Sequence, residues 1–154
     1  MRTVLFIALV LAACGKASSK QPPGACVAGW RATRTEWIGP IHNEVTIECS
    51  EGKPTLTYVV NEPRGSTTPI SHDLSRETWD TLWKHLDMAG WRELAAPCPD
   101  TGAALEDQDI TQLDLWITDG KATKKLACEA SKLTSQHEAI IEAFDEAFGA
   151  AVGI

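Results

Sequence analysis

The sequence predicts an α+β fold of antiparallel β-hairpins with two amphipathic helices, in the order ββ(β)-α-ββ-α. Trp79, Leu82, Trp83 and Leu86 recur at helical spacing, and so do Ile140, Ile141, Phe144 and Phe148. The segments flanking Glu51-Gly52 and Asp119-Gly120 alternate polar and apolar residues, as half-buried strands do. Each helix has one apolar stripe to bury, and a sheet built from hairpins offers the surface.

Taken in order, Cys26–Trp37 is ambiguous; its Thr33 and Thr35 favour a strand, and Gly39-Pro40 breaks it. Glu44–Cys49 is a strand with Val45, Ile47 and Cys49 on one face, and Thr55–Val60 is its partner, with Leu56, Tyr58 and Val60 together. A two-residue turn at Glu51-Gly52 sets Ile47 opposite Leu56 and Val45 opposite Tyr58. Asn61–His72 is mostly loop, with an edge strand near Thr67–Ser71. Ser75 is the N-cap of the first helix, Glu77 suits its dipole and Gly90 ends it. Trp91 and Leu94 are expected to pack back on that end before Pro97-Cys98-Pro99 opens a loop.

Ile110–Thr118 and Lys121–Cys128 form the next hairpin. A two-residue turn at Asp119-Gly120 would oppose Ile117 to Ala122, Leu113 to Leu126 and Asp114 to Lys125. Lys124 interrupts the apolar face, its stem lying on the core edge and its ammonium in water. Ser135 with Glu138 fits a capping box for a last helix ending at Gly149. Trp83, Leu86, Leu113, Leu115, Ile141 and Phe144 should share one apolar layer.

Four cysteines lie in this body: Cys26, Cys49, Cys98 and Cys128. No pair has C-x-x-C spacing and no His stands at ligand spacing from a Cys, so disulfides fit better than zinc. Four cysteines allow three connectivities, among which a hairpin about Gly39-Pro40 would favour Cys26 with Cys49. Cys98–Cys128 would then tie the loop after the first helix to the end of the last strand.

Ahead of the body, Met1-Arg2-Thr3 precedes an apolar run, Val4–Ala13, too short for a transmembrane helix and laid out as a secretory signal peptide. Leu11-Ala12-Ala13-Cys14 resembles the bacterial lipobox. That resemblance implies cleavage before Cys14, diacylglycerol on its thiol and an acyl chain on its new amine. Residues 1–13 are then signal peptide, 14–25 the lipidated cysteine and a flexible tether, and 26–150 a single α+β domain. Removing 13 of 154 residues leaves 141, and loss of Arg2 leaves 13 basic residues against 21 acidic, a net −8. That balance argues against nucleic acid and against a polybasic grip on anionic lipid. The tether Gly15–Gly24 has no large apolar residue. Ten such residues hold the body within about 20 Å of the bilayer.

Catalytic signals are sparse. His42, His72, His85 and His137 form no H-x-x-x-H or H-E-x-x-H arrangement, and no Ser lies in a G-x-S-x-G elbow. His85 and His137 are read as solvent-facing or capping. Glu106-Asp107-Gln108-Asp109 lacks the further ligands and the glycine of a calcium loop and reads as solvated. No metal and no cofactor is expected. Trp116, facing away from its hairpin's apolar side, is either a contact anchor or packed against a loop or the tether.

From Thr55 to Phe148 the layout resembles the proteinase-associated emfourin family. The shared features are Leu74-Ser75 before an amphipathic helix ending in Ala89-Gly90-Trp91-Arg92-Glu93-Leu94, then strand, Asp119-Gly120, strand and helix. The resemblance implies a protease-binding inhibitor of thermolysin-like metalloproteinases. The lipobox, the four body cysteines and the N-terminal hairpin depart from that family. The expected function is a lipid-anchored, non-catalytic envelope protein that binds another envelope protein. The alternatives are an emfourin-like inhibitor and a small cell-envelope hydrolase. If the cell is Gram-negative, Gly15 after the cysteine places it at the outer membrane by resemblance to lipoprotein sorting rules.

Overall fold

Seven antiparallel strands and two helices make up the described part of the chain, residues 26–98 and 111–154 of a computed structural model. The segments expected to be signal peptide, lipidated Cys14 and tether, and the acidic stretch Glu106–Asp109, lie outside those residues. The strands are β1 (Arg31–Ile38), β2 (Ile41–Ser50), β3 (Lys53–Glu62), β4 (Gly65–Ser66), β5 (Ile70–Asp73), β6 (Gln112–Thr118) and β7 (Thr123–Glu129). Helix α1 (Arg76–Met88) follows β5 and α2 (Ser135–Val152) ends the fold. The sheet order is β4-β3-β2-β1-β6-β7, with β5 beside β4 on the outer edge of β3.

The α+β class holds, with five strands before α1 rather than two or three. The ambiguous first segment is a full strand in the middle of the sheet, between β2 and β6. The edge strand expected near Thr67–Ser71 is split into β4 and β5, with Pro69 in the gap. Proline has no amide hydrogen to give a ladder, which suits it to such a break.

Val45 faces Tyr58 and Ile47 faces Leu56 about Glu51-Gly52, as the alternation predicts. Both turn residues have positive φ, 52° and 79°, the geometry that matches a two-residue turn to the strands' twist.

The second hairpin corrects its predicted register by two residues. Leu113 faces Cys128, Leu115 faces Leu126 and Ile117 faces Lys124. The connection is four residues long because Asp119 organises it. Its Oδ1 accepts from the Lys121 and Ala122 amides at 2.9 and 2.7 Å, and its own amide donates to the Ala122 carbonyl. Side-chain parity survives a two-residue slip, so the apolar face is the expected one. Lys124 does not end in water: its Nζ donates to the Leu94 carbonyl at 2.8 Å.

Asp119 also ties this turn to the end of α1, since Arg92 donates to its Oδ2 at 2.6 Å. Burial alone would raise its carboxyl. The Ala122 amide, Arg92 and the Lys121 amide outweigh burial and hold it at about 2. A carboxyl depressed by folding stabilises above its unfolded value and loses that contribution as pH falls through the folded one. Wild type should therefore exceed Asp119→Asn by about 1–2 kcal/mol near neutrality, and the gap should close between about pH 4 and 2. Thermal melts of both proteins across that range check it; a gap independent of pH would contradict the assignment.

Ser75 caps α1, its Oγ accepting from the Thr78 amide at 3.0 Å, and Trp79, Leu82, Trp83 and Leu86 are buried. Gly90 ends the helix in the left-handed region at φ 70°. A Cβ there would also lie 3.1 Å from Gln136, whose amide donates to the Gly90 carbonyl. Trp91 and Leu94 are buried against this end. Two boundaries of α2 differ from expectation. The capping box belongs to Thr134 and His137, not Ser135 and Glu138, and the helix runs through Gly149 to Val152. Inside a helix docked on a sheet, a glycine costs only about 1 kcal/mol relative to alanine, which packing overrides. The body thus extends past residue 150.

Both helices lie on the sheet face that carries Ala32, Val45, Ile47, Leu56, Leu113, Leu115 and Ile117. Trp83, Leu86, Leu113, Leu115, Ile141 and Phe144 are all buried in that one core. Trp30 joins Trp79 and Trp83 there, its ring centroid 4.7 Å from that of Trp83. Among the described residues, no helix lies on the other face of the sheet.

Candidate functional site

The four body cysteines pair as predicted, Cys26 with Cys49 and Cys98 with Cys128, at Cα separations of 5.6 and 5.7 Å. The β1–β2 hairpin brings the first pair together; the Cys49 amide donates to the Trp30 carbonyl and the Cys26 amide to that of Gly52. The second pins the segment after α1 to β7. Closing loops of these lengths contributes about 3–4 kcal/mol each in the chain-entropy model.

His137 caps α2, as one of its two expected places allowed, and is buried against the second disulfide rather than facing solvent. It is 2% exposed, and its Nε2 is 3.6 Å from Cys128 Sγ. Its Nδ1 accepts from the Thr134 amide at 3.0 Å, with the Thr134 hydroxyl at 2.9 Å. An Nδ1 that accepts from an amide leaves the ring proton on Nε2, pointed at the sulfur. Burial lowers the His137 pKa, which keeps the ring neutral. The ligand atoms of Cys98, Cys128 and His137 lie within 4.8 Å of one another, a spacing that suits a metal. With the sulfurs joined and Nε2 protonated, the cluster offers a cation neither a thiolate nor an imidazole lone pair.

A second polar cluster, unmarked in the sequence, sits under α2. Arg34 projects from β1 onto the core face and is 7% exposed. It donates to the Ile141 carbonyl at 2.9 Å and to Asp145 Oδ1 at 2.7 Å, pairs with Glu36 at 3.4 Å, and lies over the Phe144 ring. Burial raises the Glu36 carboxyl; Arg34 opposes that rise and Asp145 adds to it. With Asn43, Tyr58 and Phe148 these groups line a cavity of about 160 Å³. The guanidinium is neutralised by two carboxylates and capped by a carbonyl, so its work is to clamp α2 to the sheet.

On the uncovered face, Trp116 is held between charges, with Arg31 4.8 Å and Lys125 4.3 Å from its ring centroid. Trp37 donates to Asp114 at 3.1 Å and packs on His42 at 4.3 Å. Thr33 and Thr46 bond to each other at 3.1 Å. His72 lies half-buried on β5, and His85 on α1 meets Glu146 of α2 at 2.9 Å. Of the four histidines, only His137 is brought to a disulfide among the described residues. Sequence spacing from Thr134 could have found its capping role; its approach to Cys128 depends on how α2 docks beside β7.

These features define a disulfide-stapled α+β domain with one helix-covered sheet face. No protein-family model, no curated protein and no solved structure matches the chain.

Proposed function

We propose that the chain is a lipid-anchored, non-catalytic protein of the cell envelope whose stapled α+β body binds another envelope protein. The observation that carries this is Leu11-Ala12-Ala13-Cys14 behind a short apolar run, followed by a polar tether and a body with an even cysteine count. The two disulfides suit an oxidising compartment. More than one acyl chain on Cys14 would make the anchor stable, each buried methylene adding about 0.8 kcal/mol. In a Gram-negative cell the anchor would be in the outer membrane.

Cys14→Ser should abolish metabolic labelling with palmitate and block processing of the precursor. Unchanged labelling would remove the anchor from the proposal, and membrane fractionation decides between the two membranes. Affinity capture from envelope extract with protease assays then separates the sharper variant. Inhibition of a captured metalloproteinase would favour an emfourin-like inhibitor, and capture without inhibition a binding module.

A further inference from the structure

Among the described residues, the buried Nε2–H of His137 has only a disulfide sulfur within reach, a weak acceptor for a donor withdrawn from water. The Thr134 amide holds the ring in that tautomer, and docking of α2 holds it against Cys128. A thiolate at Cys128 would be a strong, charge-assisted acceptor in the same place. The site thus complements the cleaved disulfide better than the intact one. The two sulfurs also differ in access: Cys128 is fully buried, whereas Cys98 is partly exposed.

We propose that Cys98–Cys128 is an exchangeable disulfide whose substrate is a dithiol, with Cys98 the attacked sulfur and Cys128 the leaving one. A thiolate of the dithiol attacks Cys98 Sγ, forming a mixed disulfide as the Cys98–Cys128 bond breaks. Cys128 departs as a thiolate that accepts from His137 Nε2–H, and the ring keeps its proton. The second thiol of the partner then attacks its own sulfur in the mixed disulfide and releases Cys98, which takes that thiol's proton. The partner leaves as a disulfide, two electrons have passed to this protein, and the proton of the first thiol has gone to solvent. His137 is a positioning and stabilising group here rather than a base. The site is independent of the lipid anchor, so either proposal can fail alone.

The test equilibrates the full-length protein with graded ratios of reduced to oxidised dithiothreitol, followed by acid quench, alkylation and peptide-resolved mass spectrometry of each cysteine pair. Cys98–Cys128 should reach half-reduction at a ratio at least about tenfold lower than Cys26–Cys49, the scale of one hydrogen bond to a charged group. His137→Leu fills much of the same buried space and offers no N–H to the sulfur. It should shift the Cys98–Cys128 midpoint back by about tenfold and leave Cys26–Cys49 unmoved. Equal midpoints in wild type, or an unmoved midpoint in His137→Leu, would overturn the proposal. Wild type offers a check that does not depend on the variant folding. Brief exposure of wild type to reduced glutathione, with acid quench, should leave the mixed disulfide on Cys98. An adduct on Cys128 would equally overturn it.

Discussion

Phe144→Ala should lower stability by about 3–5 kcal/mol, the cost of truncating a well-packed aromatic. Phe144 is fully buried where α2 meets the sheet, and Arg34 lies over its ring at 5.5 Å. Its removal leaves a cavity and also strips a neutral face from a buried guanidinium. Glu142 is exposed on the other side of the same helix. Glu142→Ala should change stability by less than about 0.5 kcal/mol. Denaturant unfolding of the two variants compares them directly. Similar midpoints would mean that α2 is not docked through Phe144, and the two-layer arrangement would need redrawing.

Arg34→Met should be comparably damaging, by about 3–5 kcal/mol, for an electrostatic reason. It leaves Glu36 withdrawn from water without its cation, and breaking a buried pair from one side costs more than removing both partners. Adding Glu36→Gln should therefore restore part of the loss, so that the double variant is more stable than Arg34→Met alone. Burial already raises the Glu36 carboxyl, and loss of Arg34 removes the influence that opposes the rise. An acid whose value is raised by folding gains stability as pH falls through the folded value. Arg34→Met should thus recover on mild acidification, whereas Arg34→Met with Glu36→Gln should not. Asp145→Ala should cost no more than about 1 kcal/mol, because that carboxylate is 62% exposed. Additive losses with no pH response would show that Arg34 acts through packing alone.

By itself the sequence determined the α+β class, the stripes of both helices, the Glu51-Gly52 register and the Ser75 cap. Each depends on contacts a few residues apart or on a period that a strand or helix imposes on its own residues. The Asp119 hairpin shows where that stops. Two registers keep the same residues inside, and the turn's length was decided by an aspartate accepting two amides while bound to Arg92, 27 residues away. The extension of α2 past Gly149 likewise came from docking rather than propensity. Arg34 and Glu36 gave no signal because charges on a core face break the apolar alternation that marks it. Their partner Asp145 is 111 residues from Arg34 in the chain and adjacent only after α2 packs. His137 carried a legible capping position, but its place beside Cys128 required β7 and the start of α2 to be set side by side. Local order follows from side-chain period and hydrogen bonding within an element; the clusters that hold charge or reactive sulfur arise where elements meet, so tertiary packing alone decided them.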